Sequence, residues 1–586
     1  MNAREFGARL TADGASFRLW APAAKRVDLL LDKPYALRRG ENGWYAADIA
    51  DVKAGARYKF RIDDGIEVPD PASAFQPDDV AGPSEVIDHA SYRWRATGWR
   101  GRPWQETVLL ESHVGAFTQE GTYRAMIDKL DHVVECGITA LELMPLADFP
   151  GSRNWGYDGA LWYAPDSAYG RPDDLKALID EAHLRGLMVF LDVVYNHFGP
   201  EGNYLGRYAP SFFTEAQTPW GPVIDYRVPE VRAFAIGNAL HWLREYRFDG
   251  LRLDAVNTIA EPGGLLLLHD LSRAAGELAM ATGRHIHLVL ENGDNRASML
   301  DAGQDPPRGK YRAQWNDDYH HAWHVLLTGE TQGYYGDYTH PPRDIARALG
   351  SGFVYQGEAS AFRGGQLRGE ASGALAPTAF VNFLQNHDQI GNRALGDRLE
   401  SIAGSLAIEA ALAITLLAPH IPMLFMGEEW GSKTPFPFFC DFAGDLAAAV
   451  RKGRRREYDW AYAASGEGVP DPLDPSTFRF AVLDWQSRHA PAARRRLALV
   501  RDLLAIRRRE IVPRLAGTAF GEAHATDNGL LTANWRMGGS ATLHLLANLS
   551  EREIAHRAEP AGAPIWGGAI GEALPPWSVY WRIAAA

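Results

Sequence analysis

Cysteine is nearly absent from this 586-residue chain: Cys136 and Cys440 are the only two. Two thiols cannot make a disulfide framework, so the small stapled secreted class is excluded, and two free thiols fit a reducing compartment. Long apolar runs are missing as well. The most apolar stretch, residues 411–426, is interrupted by Pro419, His420 and Pro422 and is too short to span a bilayer. The opening residues, Met1-Asn2-Ala3-Arg4-Glu5-Phe6, lack the apolar core of a secretory leader. A cytoplasmic protein with no membrane partner is the expectation. Excess basic charge is absent too. Lys and Arg number 60 against 73 Asp and Glu, a net charge of −13, which opposes nucleic acid as a partner and suits a neutral or cationic substrate. There is no HExxH helix, no CxxC pair, no GxxxxGK[ST] phosphate loop and no Rossmann fingerprint. Asp317-Asp318-Tyr319-His320-His321 is rich in metal-ligand types, but consecutive side chains point in different directions and make a poor cage for one ion. No metal and no cofactor is expected.

What is present is a globular composition, 46% hydrophobic and 23% charged, long enough for several domains or one large barrel with additions. Residues 1–95 read as short strands: Ser16-Phe17-Arg18-Leu19-Trp20 and Tyr58-Lys59-Phe60-Arg61-Ile62 alternate, with Gly and Asp between runs. This predicts an N-terminal immunoglobulin-like β-sandwich, similar to a carbohydrate-binding module. From 96 to 512 the texture is different. Apolar runs at 107–113, 138–144, 187–194, 248–254, 286–291, 313–315, 379–384 and 423–426 are separated by helical patterns, among them 123–136, 174–184, 229–246 and 402–417. Apolar strands covered by amphipathic helices predict a parallel sheet buried on both faces, and eight of them a (β/α)8 TIM barrel. Alternation returns over 513–586, as in Leu530-Leu531-Thr532-Ala533-Asn534-Trp535, predicting a C-terminal β-sandwich. The fold class is thus multidomain α/β, a barrel flanked by two β-sandwich domains. The triplets Arg454-Arg455-Arg456 and Arg507-Arg508-Arg509 read as solvated helix surface.

In such a barrel the chemistry lies at the C-terminal ends of the strands. The third apolar run ends in Asp192-Val193-Val194-Tyr195-Asn196-His197, the fourth in Arg252-Leu253-Asp254, the fifth in Glu291 and the seventh in Gln385-Asn386-His387-Asp388. Acidic groups at adjacent strand ends point to glycoside chemistry, which needs one acid for the leaving oxygen and a second carboxylate to attack the sugar carbon or activate water. Arg252 and Asp254 share one face of their strand, so the guanidinium is placed to lower the carboxyl pKa. His197 and His387 are candidate donors to sugar hydroxyls. Trp155, Tyr157, Trp220, Trp315 and Trp430 are candidate sugar platforms or core residues; composition does not separate the two uses.

Those four short motifs, in that order, resemble the signature regions of the alpha-amylase family of glycoside hydrolases. The resemblance implies Asp254 as nucleophile, Glu291 as general acid/base and Asp388 as transition-state stabiliser. Asp192, His197, Arg252 and His387 then line the same subsite. A narrower resemblance spans nearly the whole chain. His113-Val114-Gly115-Ala116-Phe117-Thr118, Trp155-Gly156-Tyr157-Asp158-Gly159, Gln314-Trp315-Asn316-Asp317-Asp318, Gln385 through Asn392 and Arg393, and Phe425-Met426-Gly427-Glu428-Glu429-Trp430 are similar to the maltooligosyltrehalose trehalohydrolases. Ser112 and the loop Asn292-Gly293-Asp294-Asn295-Arg296 depart from that pattern. The resemblance implies hydrolysis, with retention, of the α-1,4 bond next to a terminal trehalose unit. It implies maltooligosyltrehalose as substrate, Asn392 and Arg393 among the binding residues, and maltooligosyltrehalose synthase as pathway partner. A glucan branching or debranching enzyme would share the carboxylates; a non-catalytic glucan-binding protein is the alternative of another class.

Overall fold

A computed structural model describes the chain except residues 1–5, 260, 262, 302, 304–307, 458–467, 557–558 and 586. The leader reading therefore falls almost wholly outside the described residues. Eight parallel strands close into a barrel: β1 (Leu109–Ser112), β2 (Ala140–Leu143), β3 (Met188–Val193), β4 (Gly250–Leu253), β5 (His287–Leu290), β6 (Ala313–Trp315), β7 (Phe380–Asn382) and β8 (Ile421–Phe425). Closure is by β8 on β1, with Met423 opposite Leu109. Each expected strand is present, including β6 with only three residues.

The barrel interior changes character along its axis. Leu109, Ala140, Met188, Phe190, Val289, Ala313, Ile421 and Met423 pack into one dry cluster closed from below by Trp104. Two residues further along, strand alternation returns the chain to the same side. There the residues include Glu111, Glu142, Asp192 and Glu291, and β4 carries Arg252 at the same level with Asp254 two residues beyond it. Hydrophobic burial at one end thus fixes strands whose other end carries charge.

Three of the expected helices are present, as Pro172–Leu184, Pro229–Glu245 and Ser405–Leu417, and one differs. Residues 123–136 form two helices, Tyr123–Ile127 and Leu130–Cys136, with the turn at Asp128. The break lets Tyr123 and Met126 be buried in the first piece while Leu130, Val133 and Cys136 are buried in the second. The helices Gly263–Thr282, Asp317–Thr328, Pro341–Ser351 and Pro491–Ile506 complete the return connections. Of the second arginine triplet, Arg507 is not surface. It is buried and donates to the carbonyls of Leu416 (3.1 Å) and Ala418 (2.6 Å), satisfying the open end of helix Ser405–Leu417.

Two antiparallel sheets form the N-terminal unit. One orders Gly7–Leu10, Gly14–Trp20, Trp44–Ala50 and Arg38–Arg39; the other orders Pro34–Ala36, Val27–Leu30, Arg57–Ile62 and Glu67–Val68. Phe17, Leu19, Leu29, Tyr58 and Phe60 fill the space between them. Phe6 and Trp20 meet Phe234 and Phe212 of the barrel part, with ring centroids 5.1 and 5.6 Å apart. At the other end, a five-stranded antiparallel sheet is backed by a two-stranded ribbon. The sheet's stacked Trp535 and Trp581 donate to the carbonyls of Leu349 and Ala413 on barrel helices. Cys136 and Cys440 are buried free thiols, and no described helix is long and apolar enough to cross a membrane.

Candidate active site

Arg252 organises the charged end of the barrel. Its side chain is 1% exposed, and its guanidinium lies 4.1 Å over the ring of Trp315 from β6. Nη1 contacts Asp192 Oδ2 at 2.5 Å and Asp254 Oδ1 at 3.0 Å, while Nη2 contacts Glu291 Oε2 at 2.6 Å. Adjacent strands in register explain this: Asp192 lies opposite Arg252, and Asp254 and Glu291 follow the ends of β4 and β5. One buried cation therefore serves three carboxylates from three strands.

The other partners distinguish the acids. Asn196 Nδ2 donates to Asp254 Oδ2 at 2.6 Å, and the backbone N–H of Ala255 donates to Glu291 Oε2 at 2.8 Å. Tyr157 donates its hydroxyl to Asp192 Oδ2 at 2.6 Å. Burial pushes the Asp254 carboxyl up; Arg252 and Asn196 pull it down without cancelling the rise. The expected net lowering by Arg252 is thus not found, because desolvation of a carboxylate outweighs the pairing. Burial and the Asp254 charge also hold the Glu291 carboxyl above the ordinary carboxylate range, against Arg252 and the Ala255 N–H.

Asp388 comes from a different kind of element. The seventh strand stops at Asn382, and residues His387–Gly391 form a one-turn helix whose N-cap, Asn386, accepts from the N–H of Asp388 at 2.9 Å. His387 is held on this turn by Glu111 of β1, which takes its backbone N–H at 3.0 Å and pairs with its ring. Burial alone would lower the His387 pKa, but Glu111 raises it.

Other candidates take different places. Tyr157 stacks on His387 with centroids 5.1 Å apart. Trp220 is 54% exposed on the turn between strands Phe213–Thr218 and Gly221–Ile224, beside the His197 ring. Trp155, Trp315 and Trp430 are buried, so the platform reading does not hold for them. Trp155 stacks on Phe436, Trp315 underlies Arg252, and Trp430 packs with His132 and Trp485. His197 has both ring nitrogens engaged, by the Tyr157 carbonyl at 2.9 Å and by the Asn196 side chain. It shapes the site rather than offering a donor to a hydroxyl. Arg393 is committed to Glu330 through contacts of 2.6 and 3.0 Å, whereas Asn392 donates to Asp388 Oδ1 at 2.6 Å.

The sequence assigns no site role to Glu111, Asn196, Asp317 or Asp318, although the last three stand in motifs quoted above. Glu111 had a visible signal, a carboxylate inside the apolar run Leu109-Leu110-Glu111. Asp317 opens helix Asp317–Thr328; burial and the Glu291 charge push it up to about 8. Asp318 is a buried hub. It accepts from Asn295 (2.9 Å), from the backbones of Val354 and Tyr355 (2.8 Å each) and from Tyr338 (2.6 Å), and it pairs with Arg368 at 2.8 Å. Arg368 in turn donates to the carbonyl of Gly293 at 2.9 Å, so this hub fixes the 292–296 loop beside Glu291. No group of three or more His, Cys, Asp or Glu that could hold a metal ion occurs among the described residues.

Comparison with known proteins accords with this geometry. Residues 95–217 match the alpha amylase catalytic domain, residues 5–72 carbohydrate-binding module 48 (isoamylase N-terminal domain), and residues 518–581 a domain of unknown function. Malto-oligosyltrehalose trehalohydrolase of Deinococcus radiodurans is 44% identical over 85% of this chain and 82% of that protein. The chain belongs to the malto-oligosyltrehalose trehalohydrolase family. The same-named protein of Saccharolobus solfataricus is 39% identical over 82% of this chain and 84% of its own. A crystal structure of a putative alpha amylase from Salmonella typhimurium superposes with a TM-score of 0.94 at 45% identity, covering 99% of this chain and 100% of that one. Pullulanase from Paenibacillus barengoltzii shares the fold, with a TM-score of 0.72 at 20% identity over 100% of this chain and 96% of its own.

Proposed function

We infer that this chain is a retaining α-glycosidase that hydrolyses the α-1,4 bond next to the terminal trehalose unit of maltooligosyltrehalose and releases trehalose. The observation that carries the reading is the set of Asp254 and Glu291 on one guanidinium, in a chain about 40% identical to named trehalohydrolases over most of its length. Two carboxylates on one guanidinium sit side by side. That favours the separation of about 5 Å at which one attacks carbon directly, over the about 6.5–9.5 Å that leaves room for an intervening water.

In the first step Glu291 gives its proton to the glycosidic oxygen as the C1–O bond breaks. Asp254 forms a bond to C1, and trehalose leaves with the proton. In the second step Glu291 takes a proton from water, the water oxygen bonds to C1, and the C1–Asp254 bond breaks. Asp388, near enough for the Glu291 charge to act on it, stabilises the positive charge on the distorted sugar. The raised pKa of Glu291 suits the first step, since the acid must hold its proton near neutral pH. The substrate has to come from an enzyme that builds maltooligosyltrehalose; maltooligosyltrehalose synthase is the pathway partner this reading expects. Two buried thiols fit a cytoplasmic setting.

Product chromatography tests the substrate. Trehalose should appear from maltooligosyltrehalose, with much slower cleavage of the plain maltooligosaccharide of equal length. Equal cleavage of both, or longer or branched products, would move the function to a general amylolytic or transfer enzyme. A second test addresses the acid. Glu291→Gln is expected to lose roughly 10²–10⁴ in rate on the natural leaving group. In the wild-type enzyme kcat/KM should fall as pH rises through the raised Glu291 pKa, because the protonated form is lost; that alkaline limb should vanish in the variant. Near-normal turnover by Glu291→Gln would remove Glu291 from the acid role.

A further inference from the structure

Arg252 contacts Asp192, Asp254 and Glu291, but Asp388 is not among its ion-pair partners. A carboxylate that must grip a distorted sugar still needs a fixed direction, because misplacement of about 1 Å can cost on the order of 10²-fold in rate. The structure provides another support. Arg454 lies on helix Gly444–Glu457, within the triplet read above as solvated surface. Arg455 and Arg456 are exposed, but Arg454 is half-buried and turns inward. Its guanidinium lies 4.1 Å over the ring of Phe438, and Nη1 donates to Asn392 Oδ1 at 3.1 Å. Asn392 spends its amide nitrogen on Asp388 Oδ1 at 2.6 Å. Phe438 meets Trp155 edge-on at 5.1 Å, and Trp155 meets His387 in the same way at 5.3 Å. The cation thus rests on the aromatic wall that backs the turn carrying Asp388.

Resting on the functional reading above, we propose that Arg454 is a positioning residue for Asp388, acting through Asn392. An amide that both accepts from a cation and donates to a carboxylate has one orientation available. The cation is one of the contacts that fix the Asn392 amide, and removing it loosens the hold on Asp388 Oδ1. The planar guanidinium stacks on a ring and donates in its own plane at once, which an ammonium cannot do. Arg454→Lys should therefore restore only part of what Arg454→Met loses.

The experiment is a double-mutant cycle on the full chain with maltotriosyltrehalose as substrate, reading kcat and KM separately. Arg454→Met is expected to lower kcat about tenfold with KM and melting temperature essentially unchanged. Arg454→Lys should recover part of the loss, and Arg456→Ala should equal wild type. On an Asn392→Ala background, adding Arg454→Met should cost less than twofold in kcat. The proposal is overturned if Arg454→Met leaves kcat within twofold of wild type, or if its full loss recurs on the Asn392→Ala background. Failure of the functional reading looks different: the wild-type enzyme would release no trehalose, and the same cycle would be run on whichever α-glucan it does cleave.

Discussion

Asp254→Ala should abolish turnover, with a loss of roughly 10⁴–10⁶ in kcat, the range that follows removal of an activated nucleophile. Asp254 has both carboxylate oxygens engaged, Oδ1 by Arg252 and Oδ2 by Asn196, so its direction is set before substrate arrives. Its removal leaves Glu291 and its proton in place, so the leaving group can still be protonated. What is missing is the group that forms the new bond to carbon. Azide added to the variant should therefore restore part of the rate by entering the space vacated. It would attack from the face that Asp254 used, so the product should be the β-glycosyl azide, identified by proton NMR. An α-glycosyl azide, or residual hydrolysis above about a tenth of wild type, would place the nucleophile elsewhere.

Arg252→Met should do two kinds of damage. Removing one partner of a buried ion pair typically costs about 3–5 kcal/mol, because the remaining charge is left desolvated. Here three carboxylates are left together. They will respond by taking up protons, which removes Asp254 as a nucleophile, and kcat is expected to fall by at least about 10²–10³. The stability loss has a defined pH dependence. A carboxyl whose folded-state pKa is raised binds its proton more tightly in the folded state than in the unfolded one. Its penalty is small below the unfolded pKa of about 4 and grows as pH rises above it. Urea melts should therefore show the variant closer to wild type at pH 5 than at pH 8. A destabilisation independent of pH would mean that Arg252 acts through packing on Trp315 and not through charge.

The barrel was legible because burial on both faces leaves a plain record: short apolar runs separated by amphipathic helices. Even β6 could be read from Ala313-Gln314-Trp315. Strand alternation also made Arg252 and Asp254 a pair before any coordinates, since residues two apart share a face. The order of the acidic strand ends was in the sequence too, and the family was reached from it through the resemblance of those motifs to the alpha-amylase signature regions. Period and order along the chain are local properties, and the eight-strand closure turns them directly into positions in space.

What only the tertiary structure decided lies where distant segments meet. Glu111 and His387 are 276 residues apart, and Arg454 and Asn392 are 62 apart; no local pattern links either pair. Trp155, Trp315 and Trp430 have the composition of sugar platforms and the burial of core, because a tryptophan fits either environment and only its neighbours choose. The arginine triplets show the same limit. Arg507 caps a buried helix end and Arg454 reaches toward the site, while Arg455 and Arg508 have exposed side chains. Sequence determined which strand ends carry charge. The fold decided which of those charges share one guanidinium, because that depends on how eight strands register around a closed barrel.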